Sequence, residues 1–107
     1  NILIMGFTFK ENCPDVRNTK VIDIFNALQE YNLNITVFDP WANPQIVDKE
    51  YGISVVNELP DSKFDSVILA VCHDVFQDIQ VNSLRKDNSV LYDVKGGWDK
   101  QIVDGRL

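Results

Sequence analysis

A chain of 107 residues is one domain's worth of sequence, and 45% apolar with 24% charged residues is the composition of a globular fold. A chain of this length buries roughly two-thirds of its unfolded surface, so it needs neither disulfides nor metals to fold. The net charge of −6 argues against a nucleic-acid partner, and any anionic ligand has to be held by a local group of cations against the overall field.

Ile2-Leu3-Ile4-Met5 is apolar throughout, the pattern of a strand buried on both faces. Asn1 abuts that strand directly, which is the arrangement expected of a segment cut from a longer protein. After Gly6 comes a long loop. Asn18 or Thr19 then caps a helix whose Val21, Ile24, Phe25 and Leu28 recur at helical spacing and which runs out near Tyr31-Asn32. The stretch from Asn34 to Asp39 alternates as a second strand and ends at Asp39-Pro40. Pro44 to about Glu50 is a short helix with proline in its first turn and Gly52 as its stop. Ile53 to Val56 is a short third strand near an edge, and Asp61 to Phe64 reads as a brief turn or helical stretch. Val67-Ile68-Leu69-Ala70-Val71-Cys72 is the second wholly apolar run and the other central strand. A helical region from about Asp74 to Leu84, a fifth strand Val90 to Val94, a loop Lys95 to Trp98 and a frayed tail from Gln101 to Leu107 complete the chain.

Strands and helices in that order predict an α/β fold: a doubly wound, Rossmann-like three-layer sandwich around a five-stranded parallel sheet of order 3-2-1-4-5, with residues 1–107 as a single domain. The switch point lies between strands one and four. Ligands of such sheets bind outside the carboxyl ends there. The stretches Phe7 to Arg17, Cys72-His73-Asp74 and Asp93 to Gly97 are thereby expected to converge on one crevice.

The loop after strand one carries Phe9, Lys10 and Arg17, and Lys95 arrives from strand five. An aromatic ring beside cations suits a phosphorylated, ring-bearing small molecule, with the guanidinium fitted to bidentate phosphate contact. Against this stands the ordinary reading of lysines and arginines as solvated surface charge. The loop is not a dinucleotide fingerprint, because after Gly6 the next glycine is Gly52. Asp39-Pro40 accordingly reads as turn chemistry, not as a ribose-binding acid. Cys13 lies between the cations without a histidine partner in the loop, and His73, the only histidine, reads as a satisfied residue at a loop or helix start. The two cysteines show no CxxC or Cys/His spacing and read as reduced thiols of a cytoplasmic protein. No metal constellation exists. No apolar run approaches the roughly 20 residues of a membrane span, and no signal peptide is recognisable. A phosphorelay receiver domain, which shares the lysine at the end of strand five, is rejected because the paired acids it needs after strand one are Gly6-Phe7 here.

The run from Gly6 to Asn18 closely resembles the G-x-x-F-K-x-x-x-x-D-x-R signature that opens the C-terminal, UDP-binding domain of the UDP-glucose/GDP-mannose dehydrogenase family. Asp39-Pro40-Trp41, His73-Asp74-Val75-Phe76 and Tyr92-Asp93-Val94-Lys95 agree with it, so the resemblance spans essentially the whole chain. Asn12 to Lys20 and the His-x-x-Phe look like the UDP-N-acetylhexosamine 6-dehydrogenase branch of capsule and O-antigen synthesis. The resemblance implies an oxidoreductase that oxidises the C6 alcohol of a nucleotide sugar to a carboxylate with two NAD, through a catalytic cysteine that lies upstream of this domain. It implies no catalytic residue here. Phe9 and Lys10 match the pair that contacts the UDP-sugar, Arg17 the arginine that reaches to NAD, and Lys95 a position near the nucleotide where many members carry arginine. The implied partners are an N-terminal NAD-binding domain and a central dimerisation region, giving a homodimeric parent with no nucleic-acid or membrane partner. The alternatives are a stand-alone nucleotide-binding or regulatory module and a purely structural docking domain.

Overall fold

The structure is a computed structural model that describes residues 1–94 and 103–106. Its elements are β1 (Ile2–Met5), α1 (Val21–Gln29), β2 (Ile35–Phe38), α2 (Pro44–Tyr51), β3 (Val55–Val56), β4 (Phe64–Leu69), two 3-10 turns (Asp74–Asp78 and Val81–Leu84), β5 (Arg85–Asp93) and β6 (Gly105–Arg106). The strands form one sheet of order β3-β2-β1-β4-β5-β6, with every pair parallel. The expected 3-2-1-4-5 order is present. A sixth short strand extends it in the tail that the sequence reads as frayed.

Alternation along β1 divides the core in two. Leu3 and Met5 lie opposite Val67 and Leu69 of β4 and join Leu91 and the 3-10 turn residues Phe76, Val81 and Leu84. Ile4, on the other face, joins Val37, Val47 and Val21 beneath α1 and α2. Helical elements on opposite faces on the two sides of β1 make the sheet doubly wound, with the switch point between β1 and β4.

The boundaries differ from the sequence reading for identifiable reasons. The apolar run Val67 to Cys72 overshoots its strand: beyond Leu69, the Ala70 and Val71 amides both turn in to the Met5 carbonyl (2.9 and 3.3 Å). Ala70 and Val71 then pack into the Ile4-side core, so apolarity marks burial there and not strand. The opposite error lies in β5, whose first half is polar. There a register shift against β4 accommodates Asn88 at φ 62°, and Arg85 bonds the Ser89 hydroxyl and carbonyl and the Asp104 carboxylate. Asp104 also accepts from the Leu91 amide at 2.7 Å, which ties β6 to β5. The region from Asp74 to Leu84 is two 3-10 turns because Ile79 leaves helical space (φ −86°, ψ 130°) to pack into the core. Asn43 caps α2 by accepting from the Gln45 and Ile46 amides, and Gly52 ends it at φ 68°. The N-cap position of α1 is Lys20, whose side chain makes no capping bond, in place of the expected Asn18 or Thr19; Thr19 sits one residue earlier, where its hydroxyl accepts from the Val21 amide at 3.2 Å.

Gly6 turns the chain out of β1 at φ 98°, and a Cβ there would lie 2.6 Å from the Val71 Cβ and 2.7 and 2.8 Å from its backbone N and O. Two strand ends therefore meet backbone to backbone at the mouth of the crevice. Gly6→Ala combines a left-handed φ with a backbone clash and is expected to cost about 3 kcal/mol or more, read as a loss of unfolding free energy in urea titration.

Candidate functional site

The loop from Gly6 to Lys20 is anchored by apolar side chains and leaves its polar ones outside. Phe7 and Val16 are buried in the Ile4-side core, where Phe7 meets Tyr51 edge to face at 5.3 Å and the Tyr51 hydroxyl donates to the Val16 carbonyl at 2.6 Å. The Phe9 amide donates to the Asp15 carbonyl across the loop at 2.7 Å. Asn12 and Asn18 sit at φ 57° and 60°, which asparagine tolerates better than most residues. Exposed between these anchors are Phe9, Lys10, Glu11 and Asn12 at one bend, then Pro14, and Arg17 and Asn18 at the other.

Beneath the first bend lies a buried polar cluster. Asp39, at the end of β2, is wholly buried. Its Oδ2 accepts from the Phe7 and Thr8 amides at 2.6 and 3.0 Å, and its Oδ1 from the Trp41 and Ala42 amides at 2.8 and 3.3 Å. His73, equally buried after β4, places Nε2 3.0 Å from Asp39 Oδ2 and 3.2 Å from the Thr8 hydroxyl. Its Nδ1 accepts from the Asn12 amide at 2.8 Å, so the proton of the ring is on Nε2, directed at Asp39. Trp41 and Phe76 flank the imidazole, with ring centroids 6.2 and 5.2 Å away. Burial alone would push the Asp39 carboxyl up. The hydrogen bonds from His73 and from the Phe7 and Trp41 amides outweigh it, and the group is held below the usual carboxylate range. The turn-chemistry reading of Asp39-Pro40 thus covers the bonds to Trp41 and Ala42, and His73 is the satisfied histidine expected. The bonds from both residues to the first loop were not legible, because they join positions 31 to 65 residues apart.

The first two of the three expected stretches meet, and of the third only Asp93 and Val94 are described, Val94 lining one cleft with Thr8 and Phe9. Asn12 reaches His73, the Asp74 amide returns to the Asn12 side chain at 2.9 Å, and the Val94 amide bonds the Leu69 carbonyl at 2.9 Å. Between them, at the start of α1, is a cleft of about 220 Å³ lined by Thr8, Phe9, Thr19, Lys20, Val71 and Val94. That is smaller than the roughly 300–1,000 Å³ of a complete ligand pocket, so a ligand of nucleotide size has to lie across its lip. A larger hollow of about 500 Å³, lined by Leu59, Pro60, Lys63 and Ser83, sits at the amino ends of the central strands, the wrong edge for a ligand of a parallel sheet.

Of the residues singled out in the sequence, Phe9 lines the cleft and is half exposed, and Lys10 is exposed beside it. Arg17 is exposed, with Nε and Nη2 each 3.0 Å from one oxygen of Asp15. So exposed a pair adds little stability. It holds the guanidinium in one orientation, and that hydrogen bonding lowers the Asp15 carboxyl below its usual value. Lys95 lies outside the described residues. Lys20 is a cation of the cleft that the sequence reading passed over, since a lone lysine at a helix start carries no distinguishing signal.

Residues 3–100 match the model of the UDP-glucose/GDP-mannose dehydrogenase family, UDP binding domain. The chain belongs to this family. Across its whole length it is 46% identical to UDP-N-acetyl-D-glucosamine 6-dehydrogenase of Salmonella typhi, and across 99% of it 46% identical to the protein of that name from Pseudomonas aeruginosa. It spans 26% of the length of each. The fold matches the native structure of the UDP-N-acetyl-mannosamine dehydrogenase Cap5O from Staphylococcus aureus with a TM-score of 0.69, at 19% identity over 91% of this chain and 23% of that one. Among the described residues no helix is long and apolar enough to cross a membrane.

Both Asp39 oxygens face only donors, so an amide group in its place must turn its NH2 toward other N–H groups. Asp39→Asn is expected to cost about 3 kcal/mol at pH 7. Because the folded pKa lies below the ordinary value of 3.8, the contribution is complete above that value and lost as pH falls through the folded one. Thermal melts from pH 7 downward should fall below about pH 4 more steeply in the wild type than in Asp39→Asn. Parallel curves would show that the anion is not what the cluster stabilises.

Proposed function

We propose that this chain is the C-terminal nucleotide-sugar-binding domain of an NAD-dependent UDP-sugar 6-dehydrogenase. The parent oxidises a UDP-hexose or UDP-N-acetylhexosamine to the uronic acid for surface polysaccharide synthesis, in the cytoplasm of a bacterium. The observation that carries this reading is Phe9 and Lys10 standing exposed at the switch-point cleft of an acidic chain whose residues 3–100 match the family's UDP binding domain. Phe9 supplies a ring face and Lys10 a point charge for a diphosphate. Lys20, which also lines the cleft, adds positive charge where the net field is unfavourable, and Lys95 is assigned to the nucleotide by its motif position alone.

Arg17, held by Asp15, reaches outward to NAD bound on an N-terminal domain. The relatives named above carry most of their length outside the matched segment, which leaves room for that domain and for a central region that makes the homodimer. NAD, when bound, accepts the hydride from the sugar. This domain's own residues bind and orient the nucleotide, and closure of the two domains over it excludes water. The catalytic cysteine belongs to the upstream part of the parent, so neither Cys13 nor Cys72 is assigned that role. Cys72 is in addition held in its thiol form, since burial pushes its pKa up.

In the full-length parent, Lys10→Ala is expected to raise KM for the UDP-sugar about 10- to 100-fold, the worth of one charge-assisted phosphate contact, with KM for NAD little changed. Arg17→Ala is expected to raise KM for NAD instead. Initial-rate kinetics with each substrate varied in turn separate the two. If neither variant departs from wild type, the loop cations are surface charge and the reading fails. The domain expressed alone is expected to show no dehydrogenase turnover.

A further inference from the structure

We infer that Thr8 and His73, set by Asp39, are positioning residues for the nucleotide-sugar site, acting as a buried latch that fixes where Phe9 and Lys10 stand. The inference rests on the reading that Phe9 and Lys10 meet the ligand. The loop from Gly6 to Lys20 is long, and a flexible loop of that kind would pay an ordering cost on every binding event. The latch removes that freedom on both sides of the exposed bend. Before it, the Thr8 amide is held by Asp39 and the Thr8 hydroxyl by His73 Nε2. That same hydroxyl donates to the Lys10 carbonyl at 2.9 Å, so the backbone of Lys10 is tied directly to the buried cluster. After the bend, the Asn12 amide is held by His73 Nδ1 and its side chain by the Asp74 amide. Only three residues, 9 to 11, lie between the two fixed points, and Phe9 is further bonded through its amide to Asp15.

One imidazole thus grips both ends of the bend, each ring nitrogen serving one end. The burial of His73 and Asp39 excludes direct ligand contact, so any effect they have on binding passes through the loop. Thr8 separates this role from a purely structural one. Thr8→Val keeps the side-chain shape and removes one hydroxyl. His73 Nε2 retains Asp39 as its acceptor, and the freed Lys10 carbonyl lies on an exposed residue where water can satisfy it. Stability is therefore expected to change little while the position of Lys10 is released.

The experiment is initial-rate kinetics and thermal melting of the full-length parent carrying Thr8→Val, Thr8→Ser, His73→Gln or Lys10→Ala. Thr8→Val should raise KM for the UDP-sugar roughly tenfold, with KM for NAD and the melting temperature near wild type, and Thr8→Ser should restore it. His73→Gln, which retains a donor near Nε2 and loses the acceptor at Nδ1, should show the same selective rise in KM. If Lys10→Ala raises KM for the UDP-sugar while Thr8→Val stays within twofold of wild type, the latch is only structural and the inference is overturned. If Lys10→Ala is also silent, the site reading falls and this inference falls with it.

Discussion

Asp39 has no contact with water and stands among four backbone amides and one imidazole, all directed at its two oxygens. A buried carboxylate is tolerable only when its lone pairs are met in this way, since an isolated charge in the interior costs several kcal/mol. The constraint runs outward from there. It sets the turn after β2 through Trp41 and Ala42, the start of the first loop through Phe7 and Thr8, and the ring of His73 after β4. Three chain segments that have no covalent reason to be adjacent are thereby joined around one charge, at the carboxyl ends of the strands where the cleft opens.

The apolar core makes that arrangement possible but does not specify it. β1 is buried on both faces and flanked by β2 and β4, and each of its side chains contributes about 1.5–3 kcal/mol. That energy would be served equally by many loop conformations. The loop is given its shape by polar groups that must be satisfied and by Gly6, which alone fits where Val71 closes on it. The result is a domain that carries a net negative charge yet presents Lys10 beside the half-exposed Phe9 on a bend tied at both ends to the buried cluster. An incomplete cleft of this kind suits a domain that supplies one wall of a site and leaves the other to a second domain.

The fold and the position of the switch point were legible in the sequence because both depend on local patterns. Two wholly apolar runs mark the central strands, a proline and a glycine bracket α2, and the long loop after Gly6 marks the switch point. The strand boundaries were less legible. Apolarity reports burial, and Ala70 and Val71 are buried beyond the end of β4, whereas the polar first half of β5 is a strand at a register shift. β6 could not be found because two residues carry no periodicity, and its attachment through Asp104 to Leu91 is a contact across the fold.

The sequence by itself determined the layer architecture, the strand order and the loop that carries Phe9, Lys10 and Arg17, since periodicity, turn residues and the signature spacing are written along the chain. Only the tertiary structure decided what holds that loop. Asp39 and His73 look like ordinary turn and loop residues in one dimension. Their partners are fixed by strand adjacency, by burial that removes water as a competitor, and by the requirement that every buried polar atom find a mate.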